Sequence, residues 1–224
     1  MRPARLVVFD LDGTLVDSSQ DLAAAVNEAL AGIAPLGPRL RLSEVRSFVG
    51  SGAQVLMARS LARAGIAKPV DEVLPLFLEC YRRRLLHRTR LYPGVEEGLQ
   101  ALAGRTLAVL TNKPGEMSRE ILAGLGVAER FAHILGGDEV PARKPDPEGL
   151  RRLIAETGVA ADETVMVGDS AIDVRTGRAA GARTVGVTYG FDPDGLSQDP
   201  PDFVVDDLRR LPALLVGVRP TVLT

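Results

Sequence analysis

From residue 91 onward short apolar runs alternate with helical stretches, and no other feature constrains the fold as much. Residues 106–110, 132–135, 164–167, 183–187 and 203–205 read as strands bounded by turn residues. Helical spacing fills the intervals at about 93–103, 114–125, 147–157 and 170–180, and a last helix opens at Asp207. Leu6, Val7, Val8 and Phe9 supply one more strand near the start. Strands joined through helices need crossover connections, which makes them parallel and covers both faces. The expected fold is therefore α/β, a Rossmann-like parallel sheet core with helices on both faces.

Between the first and second strands the alternation stops. Ser18 can cap a helix with Asp21 in its first turn, and Leu22, Ala25, Val26, Ala29 and Leu30 recur at helical spacing up to Gly32. Ser43 caps a short segment ending at Gly50, and a helix with Val55, Leu56, Leu61 and Ala62 runs from Gly52 to Gly65. Asp71 caps a further helix through His87, with Pro75 in its first turn, where the missing amide costs little. Nothing from residue 17 to about 90 reads as a strand. The expectation is an all-helical cap domain, residues 17–90, inserted into a core of residues 1–16 and 91–224 through linkers near Asp17 and Arg90. The basic run Arg82 to Arg90 reads as a solvated helix face; the alternative is a patch that draws in an anionic substrate.

Ligands of open parallel sheets bind beyond the carboxyl ends of the strands. Four such ends, or the loops after them, carry reactive residues: Asp10 and Asp12; Thr111 and Asn112; Lys144; Asp169 and Asp173. Carboxylates gathered there repel one another unless a cation sits among them. With one cysteine, Cys80, and two distant histidines, His87 and His133, the ligands of any metal must be oxygens, which favours magnesium. Lys144, Thr111, Asn112 and the backbone amides of the Leu11-to-Gly13 turn can bind phosphate oxygens. An aspartate can attack phosphorus to give an aspartyl-phosphate, while a second carboxyl protonates the leaving alkoxide and then activates water. This chemistry points to a phosphate-ester hydrolase acting on a small phosphorylated metabolite.

The net charge of -2 gives no reason to expect nucleic acid or an anionic membrane as partner. The opening apolar run breaks at Asp10 and lacks a cleavage site, and no run approaches the roughly 18 residues of a membrane span. A cytoplasmic protein, monomer or homodimer, is the expectation.

FDLDGTLVDS, VLTNKP, KPDPEGL and VGDSAIDV, in that order, resemble the four motifs of the haloacid dehalogenase-like hydrolases. VGSGAQVLMARSLARAG, GGDEVPARKPDPEGL and VTYGFDPDGL are similar to the phosphoglycolate phosphatase branch. The resemblance implies that Asp10 is the nucleophile and Asp12 the general acid/base. It implies magnesium held by the Asp10 carboxylate, the Asp12 carbonyl and the Asp169 carboxylate, with Thr111 and Lys144 on the phosphate. Asp173 would orient Lys144 or a metal-bound water. Gly50, Ser51 and Gly52 form a turn at a helix start that could present amides to a substrate carboxylate. The metal set argues against a dehalogenase, and Lys68, the only lysine of the helical block, is poorly placed for the imine chemistry of phosphonate cleavage. A phosphomutase and a pyrophosphatase share the same motifs; a phospho-accepting signalling domain is the non-enzymatic alternative.

Overall fold

The computed structural model describes residues 2–216. The chain opens with β1 (Leu6–Phe9) and a two-residue strand β2 (Val16–Asp17). Four helices follow: α1 (Ser19–Ile33), α2 (Leu42–Arg46), α3 (Ala53–Ala64) and α4 (Val70–Arg82). After β3 (Arg90–Leu91) come α5 (Val95–Ala101), β4 (Thr106–Leu110), α6 (Gly115–Gly124) and β5 (His133–Leu135). Next are α7 (Glu148–Thr157), β6 (Thr164–Gly168), α8 (Ala171–Ala179) and β7 (Arg183–Val187). The short helix α9 (Pro193–Gln198), strand β8 (Phe203–Val205) and α10 (Leu211–Leu214) complete the described elements.

Six strands form one sheet in the order β5-β4-β1-β6-β7-β8, and every neighbouring pair is parallel. All four residues of β1 are buried, as a central parallel strand requires. Its side chains divide by the two-residue period of a strand. Val7 and Phe9 join Val109, Val167, Leu99, Ile121 and Leu122 on one face, under α5 and α6. Leu6 and Val8 join Ala108, Leu110, Met166, Leu150 and Leu153 on the other, under α7. Gly177 lets α8 lie close on that second face, because a Cβ there would stand 2.6 Å from Thr184 and 3.0 Å from Met166. The expected two-sided α/β core is present.

The sequence expectations need correction at several ends. The segments near Asp17 and Arg90 are strands: β2 and β3 pair antiparallel, Val16 with Leu91 and Asp17 with Arg90. Two residues are too few to show an alternating pattern, and the pairing is between segments more than seventy residues apart in sequence. Helix α4 stops at Arg82 and opens at Val70, so Asp71 lies in its first turn and does not cap it. Ser43 lies inside α2, where the backbone N–H of Arg41 donates to Glu44 at 2.8 Å. Ser18 does not cap α1 with its side chain; Asp17 Oδ1 instead accepts from the Ser19 N–H at 3.0 Å and its hydroxyl at 2.6 Å. The first three arginines of the basic run form ion pairs, Arg82 with Glu116 and Glu120, Arg83 with Glu28 and Glu79, and Arg84 with Glu28, while the Arg90 guanidinium donates to the carbonyls of Leu86, His87 and Thr89. That matches a solvated, neutralised face for Arg82, Arg83 and Arg84.

Asp21 does more than complement a helix dipole. It is buried, and its Oδ2 accepts three hydrogen bonds of 2.8 Å each, from the N–H groups of Arg88 and Thr89 and the Thr89 hydroxyl. It thereby ties the first helix to the chain that returns into β3. Asp21→Ala orphans these donors and is expected to cost about 2–4 kcal/mol, read from urea unfolding. An unchanged midpoint would show that the return segment is anchored elsewhere.

Candidate active site

Neighbouring strands bring the expected residues together. The sheet places β1 between β4 and β6, so Asp10, Thr111 and Asp169 follow three adjacent carboxyl ends. Lys144 arrives on the loop between β5 and α7, and Asp173 from the first turn of α8. Asp10, Thr111, Asn112, Lys113, Lys144, Asp169 and Asp173 are all buried.

Lys144 Nζ lies 2.8 Å from Asp10 Oδ1 and 2.7 Å from Asp173 Oδ1. Asp173 Oδ2 accepts from the Ser170 hydroxyl at 2.8 Å and from its N–H at 3.3 Å. Asp173 thus fixes Lys144 beside Asp10 while closing the start of α8. Asp169 Oδ2 accepts the Phe191 N–H at 2.6 Å, a donor not anticipated from the sequence. Room beside Asp169 depends on two glycines: a Cβ on Gly13 would stand 2.2 Å from its Oδ2, and one on Gly190 2.2 Å from its Cβ. Gly13 also holds a φ of +89°, where an L side chain is strained.

The electrostatics are dominated by burial. Desolvation is the largest influence on Asp10 and pushes its carboxyl up to about 6; Lys144 opposes this, while Asp173 and Asp12 add to it. Desolvation, then the charges of Asp173 and Asp10, push Asp169 well above the usual carboxylate range. Burial works against the Lys144 ammonium, yet the carboxylates of Asp10 and Asp173 outweigh it and the net shift is upward. One ammonium group does not compensate this many carboxylates. Ligand-capable oxygens of Asp10, Asp169 and Asp173 lie within 4.8 Å of one another. Buried, all-oxygen and charge-deficient, this set fits a hard divalent cation. Asp173 is already engaged by Lys144 and Ser170, which leaves Asp10 and Asp169 as the better-placed anionic ligands.

Asp12 faces the other way. Its Oδ1 accepts from the Ser18 hydroxyl at 2.5 Å, and its Oδ2 lies 2.8 Å from Lys113 Nζ. Lys113 in turn donates to the Tyr81 hydroxyl at 2.9 Å and sits 4.5 Å from the centre of the Tyr81 ring. Lys113 had no assignment from sequence, and its partner Tyr81 lies on α4. Burial pulls the Lys113 ammonium down, but Asp12 and Tyr81 reverse the shift.

Two expectations are corrected. The Asn112 side-chain amide donates to the Gly50 carbonyl and the Lys144 carbonyl, each at 2.9 Å, and its oxygen accepts the Lys144 N–H at 2.9 Å. Asn112 therefore holds the Lys144 loop and has no side-chain donor left for a phosphate. The Gly13 N–H donates to the Val16 carbonyl at 2.9 Å, so the turn cannot offer that amide either. Thr111 keeps its hydroxyl proton; the oxygen accepts the Lys113 N–H at 3.2 Å.

Helices α1, α3, α4 and α6 line a cavity of about 40 Å3 over Asp10, Asp12, Thr111 and Lys113. Its remaining wall is mostly apolar, including Leu22, Val49, Leu56, Phe77 and Met117. Gly50 and Gly52 line it, with φ of +114° and +91°, whereas Ser51 is not among the lining residues. Arg46 of α2 reaches the sheet edge as well, donating to the Gly190 carbonyl at 2.5 Å with its guanidinium 5.0 Å from the Phe191 ring centre.

Comparison with known proteins agrees with this geometry. A family model described as haloacid dehalogenase-like hydrolase matches residues 7–187. A phosphoglycolate phosphatase of Vibrio parahaemolyticus is 40% identical over 216 residues, covering 92% of this chain and 94% of that protein. One from Pseudomonas putida is 41% identical over 216 residues, covering 92% and 78%. A crystal structure of a predicted phosphoglycolate phosphatase from Haemophilus somnus superposes with a TM-score of 0.90 at 34% identity, covering 96% of this chain and 99% of that one.

A raised carboxyl pKa in the folded state contributes stability below the unfolded value and loses it as pH rises through the folded one. For Asp10 that window runs from 3.8 to about 6. A bound cation replaces the protons. Chelated protein should gain more from magnesium chloride at pH 7.5 than at pH 5, with a rise in Tm of ~5 °C at saturation. Equal gains at both pH values, or none, would contradict a cation site among these carboxylates.

Proposed function

The chain belongs to the haloacid dehalogenase-like hydrolases, and we propose that it is a magnesium-dependent phosphatase converting 2-phosphoglycolate to glycolate and phosphate. The observation that carries this reading is Asp10 held beside Lys144 at the floor of a cavity whose other carboxyl group is Asp12. The substrate follows the names of the relatives.

Asp10 attacks phosphorus, the ester oxygen departs with a proton from Asp12, and glycolate leaves an aspartyl-phosphate behind. Asp12, now ionised, takes a proton from water, whose oxygen attacks the same phosphorus and restores Asp10 with release of phosphate. The Thr111 hydroxyl and Lys144 bind the transferring phosphoryl oxygens, and Asp173 keeps Lys144 in place. Asp10, Asp169 and the Asp12 carbonyl would hold magnesium, which would supply positive charge against the phosphoryl group. Residues 17–90 act as a cap that excludes water during transfer and opens on the paired strands β2 and β3 to release product.

Asp10→Asn should lower kcat at least ~10³-fold with an unchanged circular dichroism spectrum, and Lys144→Ala should lower it ~10²-fold. In a magnesium-supplemented screen, 2-phosphoglycolate should give the highest kcat/KM among small phosphate esters, hexose phosphates and pyrophosphate. Retained activity in Asp10→Asn would remove it as nucleophile, and a strong preference for another ester would replace the substrate.

A further inference from the structure

We infer that Lys113 is the specificity-determining cation of this site, and that it takes a carboxylate attached one carbon away from the leaving oxygen of the substrate. The inference deepens the phosphatase reading and rests on it for the position of the leaving group.

Three observations converge on this residue. Lys113 is the only cationic side chain among those lining the cavity, and the anions beside it, Asp10 and Asp12, belong to the reacting end. Lys144, the other buried ammonium near the site, holds Asp10 and Asp173 and has its remaining donor on the phosphoryl side of the site. The Lys113 ammonium has three N–H donors, of which Asp12 Oδ2 at 2.8 Å and the Tyr81 hydroxyl at 2.9 Å account for two. One donor remains for a ligand in the cavity.

Position then selects the chemistry. The group that protonates a leaving oxygen must lie within hydrogen-bond distance of it, so the substrate's ester oxygen sits against Asp12. Lys113 touches Asp12, and whatever the substrate carries one carbon beyond that oxygen falls next to its ammonium. A carboxylate at that place finds a charge-assisted donor, while the apolar wall of Leu22, Val49, Leu56 and Phe77 offers it nothing else. A substrate with a methyl group there leaves the third donor without a charged acceptor. Tyr81 makes this a device of the helical block, since its hydroxyl on α4 positions a core lysine.

Binding of two phosphonates, measured by calorimetry with magnesium present, separates this inference from the turnover reading. 3-Phosphonopropionate carries the carboxylate and propylphosphonate replaces it with a methyl group; neither can be hydrolysed. The wild-type chain is expected to bind the first roughly 10- to 100-fold more tightly, and Lys113→Met to lose that preference. Tyr81→Phe, which keeps the buried ammonium and its partner Asp12, should reduce the preference about 3-fold and serves if the Lys113 variant does not fold. No preference in the wild type, or a preference undiminished in the folded variants, would overturn the assignment. Should the preference and its loss hold while 2-phosphoglycolate is not turned over, the substrate proposal falls and the Lys113 assignment stands.

Discussion

The structure depends on a charge imbalance at the end of the central strand. Four carboxylates, Asp10, Asp12, Asp169 and Asp173, meet two ammonium groups, Lys113 and Lys144, in a region almost closed to water. Left alone, such a cluster opposes folding, and the upward displacement of Asp10 and Asp169 expresses that cost. A divalent cation would offset it, and an incoming phosphate dianion would then be matched by the remaining N–H and O–H donors. Packing elsewhere serves this arrangement. The fully buried β1 fixes where Asp10 and Asp12 emerge, and the glycines at 13 and 190 leave space that any side chain would fill.

The two lysines divide the site. Lys144 belongs to the core and is held by Asp173 and by Asn112, which grips its backbone on both sides. Lys113 also comes from the core but is completed by Tyr81 of the helical block. Gly50 on Asn112 and Arg46 on Gly190 are two further contacts of the same kind, each ending on a loop that holds a reacting residue. The helical block therefore does more than cover the sheet edge. It sets the environment of Asp12 on one side and of Asp169 on the other.

How much of this was legible in the sequence follows from where each partner lies. The parallel sheet was legible because crossover strands need no knowledge of tertiary contacts; alternation is enough. Asp10, Asp12, Thr111, Asp169 and Asp173 were legible as residues because each follows a strand or opens a helix at one edge, and Lys144 because it lies in a loop after a strand at that edge, within KPDPEGL. Their partners were not. Asn112 looked like a phosphate donor until Gly50 and Lys144, distant in sequence, took both of its amide hydrogens. Lys113 was invisible because its meaning comes from Tyr81, thirty-two residues earlier, across the interface. The β2–β3 ladder was missed because two-residue strands have no period.

The central claim is that Asp10 carries the phosphoryl group while Asp12 handles the proton. Its most direct measurement uses Asp12→Asn, in which breakdown of the intermediate is slowed, mixed with 2-phosphoglycolate and magnesium and quenched in acid. Borohydride reduction of the acyl phosphate followed by peptide mass spectrometry locates the labelled residue. The account predicts near-stoichiometric modification of Asp10 and no other carboxylate. Modification at another residue, or none while wild-type turnover proceeds, would contradict it.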